Sequence, residues 1–358
     1  MAVLITGGAG YIGSHMAWAC VDKGDEVVVL DNLSTGFRWA VPPQATFVEG
    51  DIADRDLVME TIRAHGIDTV VHFAGSIIVP ESVADPLKYY DNNTGRTRTL
   101  LQACVDAGLE QFIFSSTAAV YGVLPNMRPV DELTPLAPAS PYGHSKLMSE
   151  QMVRDVSEAT GLRYVMLRYF NVAGADPRGR TGLSARNATH VMKLACEAAT
   201  GKRDFFEVYG TDYDTPDGSA VRDFIHVTDL ADAHYVALNF LRAGGRKFTG
   251  NAGYSRGASV FEVVDAVKRI SGVDFEVRLA DRRAGDVPAI VADASRMGHR
   301  LSWKPRNDEL ETIVRHALAW EEKLKSIRAM EAEAAREAVD APPIQPSLDT
   351  LTDRVTLV

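Results

Sequence analysis

The chain has 358 residues, of which 46% are hydrophobic and 24% are charged, values typical of a globular protein with a sizeable core. Its formal net charge of −10 argues against nucleic acid or an anionic membrane surface as a partner. The three cysteines lie far apart, without the spacing of a metal site or of a disulfide framework, and no apolar run is long enough to span a membrane. These features predict a cytoplasmic protein with about two domains or one large α/β unit.

Short apolar runs alternate with longer helical patterns through the first half of the chain. Strands are predicted at 2–6, 26–30, 69–75, 111–116 and 163–170, and helices near 11–23, 54–65, 82–107 and 142–160. The strands are almost continuously apolar, as is typical of parallel strands that are covered on both faces. This order predicts a doubly wound parallel α/β sheet of the Rossmann type, with right-handed crossovers.

A glycine-rich turn, TGGAGYIGSH, joins the first predicted strand to the first predicted helix. Gly8, Gly10 and Gly13 match the pattern G-x-G-x-x-G, and Gly7, Gly10 and Gly13 match the related G-x-x-G-x-x-G. Glycines at these positions let backbone N–H groups approach a pyrophosphate at the helix N-terminus. Asp31 ends the second strand, where a carboxylate accepts hydrogen bonds from ribose hydroxyls and repels a 2′-phosphate. The pattern therefore predicts NAD rather than NADP.

The stretch SPYGHSK places Tyr142 four residues before Lys146. On a helix the two side chains project from the same face, and Ser140 with Pro141 is a typical helix start. A lysine ammonium one turn away, together with the positive nicotinamide ring of NAD⁺, would stabilise the phenolate and lower the pKa of the tyrosine from its ordinary value of about 10. Such pairs are also common on solvated helices, so the spacing alone does not establish a general base.

The pattern loosens after about residue 171, where polar loops at 174–189 and 210–223 flank a predicted helix near 190–200. Residues 259–325 have the pattern of a helix, a short strand and further helices. We predict an NAD-binding domain and a smaller C-terminal substrate lobe. The predicted limits are 1–170 with a returning segment at about 221–250 for the first, 171–220 and 251–325 for the second, and 326–358 for a helical extension with a disordered tail.

A series of motifs runs through residues 1 to about 320. In chain order they are GGAGYIGSH (7–15), DNLSTG (31–36), GDI (50–52), HFAG (72–75), PES (80–82), YYDNN (89–93), FSSTAAVYG (114–122), SPYGHSKLMSE (140–150), LRYFNVAGA (167–175), VRDFIHVTDLADAH (221–234) and RRAGDVPA (282–289). Together they resemble the NAD-dependent epimerase group of the extended short-chain dehydrogenase/reductase family. The resemblance implies inversion of C4 of a UDP-hexose, UDP-glucose or UDP-galactose, through a 4-keto sugar with tightly bound NAD.

The resemblance also implies roles for individual residues. The catalytic residues would be Tyr142 as the base, Lys146 and Thr117. The cofactor would be held by Gly7, Gly10, Tyr11, Ile12, Gly13, Asp31, Asn32, Ser34, Gly36, Asp51, Ile52, Phe73, Ala74, Gly75, Asn92, Tyr142, Lys146 and Phe170. The UDP-sugar would be held by Thr117, Asn171, His190, Tyr209, Arg222, Arg283 and Asp286.

The same resemblance implies a homodimer joined through the helices at 82–107 and 142–160. No metal site is expected, because the acidic loop at 212–217 lacks the ligand spacing of a calcium-binding EF-hand. For Arg222, a structural ion pair with its neighbour Asp223 is the alternative to substrate binding.

Several positions depart from the family pattern and leave alternatives open. Ile77 stands where a lysine is common, and Arg96 falls within the variant stretch NNTGRT. Ile290 stands at the position that gates sugar size, so UDP-N-acetylglucosamine and a UDP-pentose such as UDP-xylose or UDP-arabinose stay open as substrates.

Three other functions are alternatives to the epimerase. A sugar-nucleotide 4,6-dehydratase has an acidic pair after the Ser/Thr position, whereas Ala118 and Ala119 follow Thr117 here. A UDP-glucuronate decarboxylase would need a carboxylate-recognition signature, which we do not find. A non-catalytic NAD-binding protein typically loses the tyrosine or the lysine, and both are present.

Overall fold

The computed structural model describes residues 1–124, 128–185, 189–283 and 286–340. The strands are β1 (Ala2–Thr6), β2 (Glu26–Asp31), β3 (Thr46–Glu49), β4 (Ile67–His72), β5 (Gln111–Thr117), β6 (Arg163–Tyr169), β7 (Asn171–Ala173), β8 (Phe205–Tyr209), β9 (Val221–Arg222), β10 (Phe224–His226), β11 (Lys247–Ala252), β12 (Ala258–Ser259), β13 (Glu276–Ala280) and β14 (Ala289–Ile290). The helices are α1 (Tyr11–Asp22), α2 (Arg55–Ala64), α3 (Val79–Ala84), α4 (Pro86–Tyr89), α5 (Arg96–Asp106), α6 (Pro141–Thr160), α7 (Val191–Ala199), α8 (Val227–Arg242), α9 (Val260–Ser271), α10 (Ser295–Leu301) and α11 (Leu310–Asp340).

Seven strands form one parallel sheet in the order β3-β2-β1-β4-β5-β6-β11. This order is that of a doubly wound Rossmann sheet with one added strand, so the predicted fold class is confirmed. The two edge strands, β3 and β11, were not predicted. The sequence of β3, TFVE, is short, and that of β11, KFTGNA, contains glycine and asparagine. Neither has a continuous apolar run, because an edge strand does not need the apolar pattern of a central strand.

Apolar side chains cover both faces of the sheet. Val3 and Ile5 of β1 join the cluster that α1 and α8 build on one face, and Ala2 and Leu4 join the cluster that α2 and α5 build on the other. All four side chains are buried. The central strands are therefore continuously apolar because each of their two faces has a helical layer to pack against.

The predicted helix at 82–107 is the main difference from the sequence analysis. The chain forms α3, breaks at Asp85, and continues as α4, a π-helix at Tyr90–Gly95 and then α5. Asp85 precedes Pro86 and has φ −135° and ψ 76°, because a residue before proline is disfavoured in the helical region. The side chain of Asp85 accepts a hydrogen bond from the Lys88 N–H and so caps the restarted helix.

A second hydrophobic cluster lies outside the main sheet, among α7, α9, α11 and the paired strands β8 and β13. The smaller strands β12, β9 and β14 form a separate three-stranded sheet, and β7 pairs with β10. The predicted domain limits remain a prediction. The last helix includes residues 329–339, as the sequence indicates, whereas the predicted disordered tail at 341–358 lies outside the described residues. Within the described ranges, no helix has the length and apolar composition that crossing a membrane requires.

Candidate active site

The glycine-rich turn connects the carboxyl end of β1 to the N-terminus of α1. Gly10 is the N-cap of α1, so no side chain competes for the first N–H groups of the helix, which stay available for an anion. Gly7 has φ +70°, and a Cβ on it would lie 2.6 Å from the backbone nitrogen of Ala74. A Cβ on Gly13 would lie 2.3 Å from the carbonyl oxygen of Gly7. Because the backbone is packed this closely, only glycine fits at Gly7 and Gly13.

Gly13→Ala is expected to reduce the amount of dinucleotide that the protein holds at least tenfold, because the added Cβ displaces the turn whose N–H groups face the pyrophosphate. Bound dinucleotide per chain, measured after acid extraction of the purified protein, is the readout. Gly298→Ala in α10 is the matched control, since its Cβ would meet the carbonyl oxygen of Trp303 at an ordinary 3.8 Å. Equal dinucleotide content in both variants would contradict this role of the turn.

Asp31 lies at the carboxyl end of β2 and holds the glycine-rich turn. Its Oδ2 accepts the Ala9 N–H at 2.9 Å and its Oδ1 accepts the Leu33 N–H at 2.8 Å. Burial raises the pKa of Asp31, and these two hydrogen bonds act against that rise. Leu33 has φ +55°, an unusual conformation for a branched residue. Each carboxylate oxygen keeps a second lone pair for a ribose hydroxyl. The turn and Asp31 together fit a dinucleotide.

The other predicted cofactor residues line the same edge of the sheet. Asp51 and Ile52 follow β3, and the Asp51 carboxylate accepts a hydrogen bond from Asn32 Nδ2 at 3.0 Å. Asn92, on the π-helix, donates to Ser76 Oγ at 2.9 Å, just beyond the end of β4. Phe73, Ala74 and Gly75 come directly after β4, Ser34 and Gly36 lie in the loop after β2, and Phe170 follows β6.

Tyr142 and Thr117 are brought together by α6 and β5. Ser140 caps α6 by accepting the Gly143 N–H at 3.2 Å, and Pro141 is the first helical residue, as the sequence predicts. Tyr142, the next residue, is 6% exposed, and its phenol interacts with the Thr117 hydroxyl, which acts to lower the pKa of the phenol. The hydroxyl groups of Tyr142 and Thr117, two of the three predicted catalytic residues, therefore lie next to each other.

Lys146 lies one turn along α6 from Tyr142 and is 5% exposed. Its Nζ is 4.6 Å from the centre of the Phe114 ring. Burial lowers the pKa of Lys146 to about 8, and the negative charge of Glu150 acts in the opposite direction. Glu150 itself is buried in a bidentate ion pair with Arg168, at 2.8 and 2.7 Å.

Burial acts on the pKa of Tyr142 in the direction opposite to the expected effect of Lys146 and the nicotinamide ring. In the protein alone burial raises this pKa, helped by the neighbouring Tyr169 and opposed by the interaction with the Thr117 hydroxyl. Removing the phenol from water disfavours the charged phenolate more than the surroundings stabilise it. The positive charge of a bound nicotinamide ring, which the expectation includes, would act against this effect of burial.

Four of the predicted substrate residues lie close together in the smaller lobe. Arg222 Nη2 is 4.0 Å from Asp286 Oδ1, and Arg283 Nε is 3.9 Å from Asp286 Oδ2. The guanidinium carbon of Arg283 lies 3.9 Å from the centre of the Tyr209 ring. Both ion pairs are longer than a hydrogen bond, and Arg283 Nε is buried without a hydrogen-bond partner. This arrangement can accept an anion with two phosphate groups.

The structural alternative for Arg222 does not hold. Asp223, its neighbour in the chain, faces away and accepts backbone N–H groups of Tyr254, Ser255 and Ala292. Arg222 instead donates to the carbonyl oxygen of Val221 at 2.9 Å and faces Asp286.

Asn171 and His190, two further predicted substrate residues, lie at the start of β7 and at the start of α7. Asn171 begins β7, and its N–H donates to the carbonyl oxygen of Asp223 at 2.9 Å. His190 stands at the N-cap position of α7, where its side chain makes no capping hydrogen bond, and it lines a cavity of about 20 Å³ together with Tyr11 and Gly174. Its Nδ1 is buried without a hydrogen-bond partner, and burial lowers its pKa to about 4. His190 is therefore a neutral side chain with a free polar atom beside the glycine-rich turn.

Tyr213 was missed by the sequence analysis. Its hydroxyl group is buried without a hydrogen-bond partner, and its phenol interacts electrostatically with Asp286 and Arg222. The only signal in the sequence is a lone tyrosine within the polar loop at 210–223, which also fits an ordinary loop residue. Tyr213 thus joins Tyr209, Arg222, Arg283 and Asp286 through tertiary contacts alone. We call these four residues the arginine group.

Comparison with known proteins agrees with this geometry. Residues 3–253 match the model of the NAD dependent epimerase/dehydratase family. The chain is 54% identical over 323 residues to a UDP-glucose 4-epimerase of Azospirillum brasilense, covering 90% of this chain and 92% of the relative. It is also similar to the crystal structure of UDP-glucose 4-epimerase from Brucella ovis in complex with NAD, with 45% identity, a TM-score of 0.86 and coverage of 89% and 97%.

A second similar structure is the UDP-Glc/GlcNAc 4-epimerase from Campylobacter jejuni, with 46% identity, a TM-score of 0.79 and coverage of 90% of this chain and 99% of that chain. The likeness in each case extends over nearly the whole of both chains, so it includes the smaller lobe as well as the sheet. The family match, the strand order and the glycine-rich turn at the carboxyl end of β1 all agree. This chain belongs to the NAD dependent epimerase/dehydratase family.

Proposed function

We propose that this protein is a UDP-glucose 4-epimerase that inverts C4 of the hexose through a transient 4-keto sugar, with NAD retained. The observation that carries the proposal is the pairing of the Tyr142 and Thr117 hydroxyls, with Lys146 one turn away, at the edge of the sheet where the glycine-rich turn lies. The similarity to UDP-glucose 4-epimerases over about 90% of the chain supports it.

The chain's own residues handle the proton. Tyr142 takes the proton from the 4-hydroxyl and later returns it, and Thr117 donates a hydrogen bond that orients the same oxygen. Lys146 keeps positive charge beside the phenol. NAD, when bound, would supply the oxidation and subsequent reduction of C4, and its positively charged ring would favour the phenolate of Tyr142. The residues of the turn, with Asp31 and Asn92, would hold it.

The arginine group holds the other end of the substrate. Arg222 and Arg283 donate to the diphosphate, and Asp286 accepts from the uridine ribose. Because their ion pairs with Asp286 are 3.9 to 4.0 Å long, the guanidinium groups do not have to break strong hydrogen bonds to that carboxylate first. A diphosphate held firmly, with the sugar held by fewer contacts, lets the keto sugar turn over in the pocket.

Ile290 is the residue that we propose to limit the size of the sugar. It lies in β14 opposite Arg222 in β9, and it packs in one cluster with Ala118 and Phe170. It therefore lies between the arginine group and the end of β5. Its side chain is intermediate in bulk, so UDP-N-acetylglucosamine is the second candidate substrate, a possibility that the similarity to the Campylobacter jejuni enzyme favours.

The experiment that tests the function is a substrate panel without added NAD. The purified protein is incubated separately with UDP-glucose, UDP-N-acetylglucosamine and UDP-xylose, and C4 inversion is followed by NMR. We expect UDP-galactose from UDP-glucose at the highest rate. A 4-keto-6-deoxy sugar as product would instead assign the protein to the dehydratases, and absence of turnover with all three would overturn the proposal.

We also infer a homodimer and a cytoplasmic location. The helices expected at the dimer interface expose Met148 on α6 and, on the segments before α5, Val83 and Leu87. Apolar side chains exposed on neighbouring helices are typical of an interface. Cys20, Cys104 and Cys196 are buried and free, as is usual in a reducing compartment. Light scattering of the purified protein, with a dimer mass of twice 39.0 kDa expected, tests the first inference.

A further inference from the structure

Arg96 forms an ion pair that joins two separate parts of the sheet edge. It is the first residue of α5, directly after the π-helix, and its Nη1 donates to Asp51 Oδ2. Its Nε is 3.4 Å from Asp91 Oδ2 on the π-helix. The contact with Asp51 joins α5 to the loop that follows β3, 45 residues earlier in the chain.

The Asp51 carboxylate is held firmly on its other sides. Its Oδ2 also accepts from Asn32 Nδ2 at 3.0 Å, and its Oδ1 accepts the Ala53 N–H at 2.9 Å. The side chains of Arg96 and Asp51 are 34% and 31% exposed, so the pair is partly shielded from water. An ion pair between partly shielded groups with several hydrogen bonds is stronger than one between fully exposed chains.

The position of the Arg96–Asp51 pair relative to the glycine-rich turn indicates which end of a dinucleotide it can contact. In a doubly wound sheet a dinucleotide lies across the carboxyl ends of the strands, with its pyrophosphate at the first helix and its ribose at the acid after the second strand. Asp31 is that acid here, and β3 is the next strand outward. The adenine end therefore reaches the loop after β3, where Asp51 and Arg96 meet.

We propose that Arg96 retains the cofactor, acting as a cation that closes the sheet edge over the adenine end of NAD. The proposal rests on the proposed function, because it takes NAD as the bound group. A guanidinium is suited to this position because its flat face can stack on an aromatic base while two of its nitrogens stay paired with two carboxylates, Nη1 with Asp51 and Nε with Asp91. By holding Asp51 and Asp91 together, Arg96 also ties the π-helix that carries Asn92 to the loop after β3.

The test is the rate at which bound dinucleotide leaves. The protein is loaded with NADH, excess NAD is added, and the loss of NADH fluorescence is followed. We expect Arg96→Ala to release NADH about tenfold faster than the unchanged protein, which corresponds to about 1.4 kcal/mol. Arg96→Lys, which keeps the charge but loses the fork, is expected to fall between the two. Raising the salt concentration should speed release from the unchanged protein more than from Arg96→Ala.

Arg98→Ala is the matched control. Arg98 lies two residues further along α5, is exposed, and donates only weakly to the neighbouring Thr99, at 3.4 Å, so its release rate should equal that of the unchanged protein. Unchanged or slower release from Arg96→Ala would overturn the proposal. A loss of thermal stability in dinucleotide-free Arg96→Ala without faster release would assign the ion pair to folding and also overturn it. If the unchanged protein carried no dinucleotide and bound no NADH, the proposed function itself would fail.

Discussion

Tyr142→Phe is expected to reduce epimerisation by about 10²- to 10⁴-fold, the usual contribution of a positioned acid–base group. The variant keeps the ring, which packs edge-on against Tyr89 with ring centres 6.3 Å apart, and loses only the hydroxyl that interacts with Thr117. Without that oxygen no group takes the proton from the 4-hydroxyl. The measurement is C4 inversion of UDP-glucose by NMR.

A matched control and a second readout separate chemistry from folding. Tyr235→Phe removes another phenol hydroxyl, on α8, where it interacts with Asp25, and it should leave epimerisation unchanged. Bound dinucleotide per chain in Tyr142→Phe should stay within about twofold of the unchanged protein, because the glycine-rich turn is intact. Normal epimerisation by Tyr142→Phe would assign the base to another residue.

Lys146→Met is expected to lower activity about 100-fold or more and to raise stability at pH 6.5. The loss of activity follows from removing the charge beside Tyr142. The gain in stability follows from burial, which lowers the pKa of Lys146 to about 8 from its ordinary value of 10.5. Below pH 8 the lysine is charged in both the folded and the unfolded chain, so folding carries the full cost of burying an ammonium group. Between pH 8 and 10.5 the unfolded chain binds the proton and the folded chain does not, so this cost falls as the pH rises.

The sign of this effect can be checked against pH. Methionine has a similar length and no charge, so it removes the free-energy cost of burying the ammonium group. This cost is at most about 3 kcal/mol. The stability advantage of Lys146→Met should be largest below pH 8 and should shrink as the pH rises through 8 towards 10.5, because the lysine of the unchanged protein is then neutral. Thermal midpoints of dinucleotide-free protein at pH 6.5 and pH 9.5 measure it.

Lys325→Met is the control for this prediction. Lys325 lies on α11, has a side chain 42% exposed, and is 3.4 Å from Glu322, so its replacement should change stability little at either pH. If Lys146→Met were less stable at pH 6.5, the attraction of the ammonium to Glu150 and to the Phe114 ring would outweigh its burial cost. Retained activity would show that the charge is not needed for turnover.

Local patterns determined the fold class and the parts of the site that lie on one element. The central strands have continuous apolar runs because both of their faces are covered, and this marks them in the sequence. Ser140 and Pro141 mark the start of α6, and the 3.6-residue period places Tyr142 and Lys146 on one face. The strand–turn–helix context of the glycines likewise lies within one short segment.

Only the tertiary structure decided how distant segments meet and how deeply their charged groups are buried. The pKa of Tyr142 rises because the surrounding elements remove water from it, whereas the sequence shows only the lysine one turn away. Arg222 faces Asp286 instead of its neighbour Asp223, and Arg96 reaches Asp51 across 45 residues. Such contacts depend on the packing of whole elements against each other, and no local period or spacing encodes that packing. The sequence by itself therefore determined which residue types were available, and long-range packing decided their partners and their charge states.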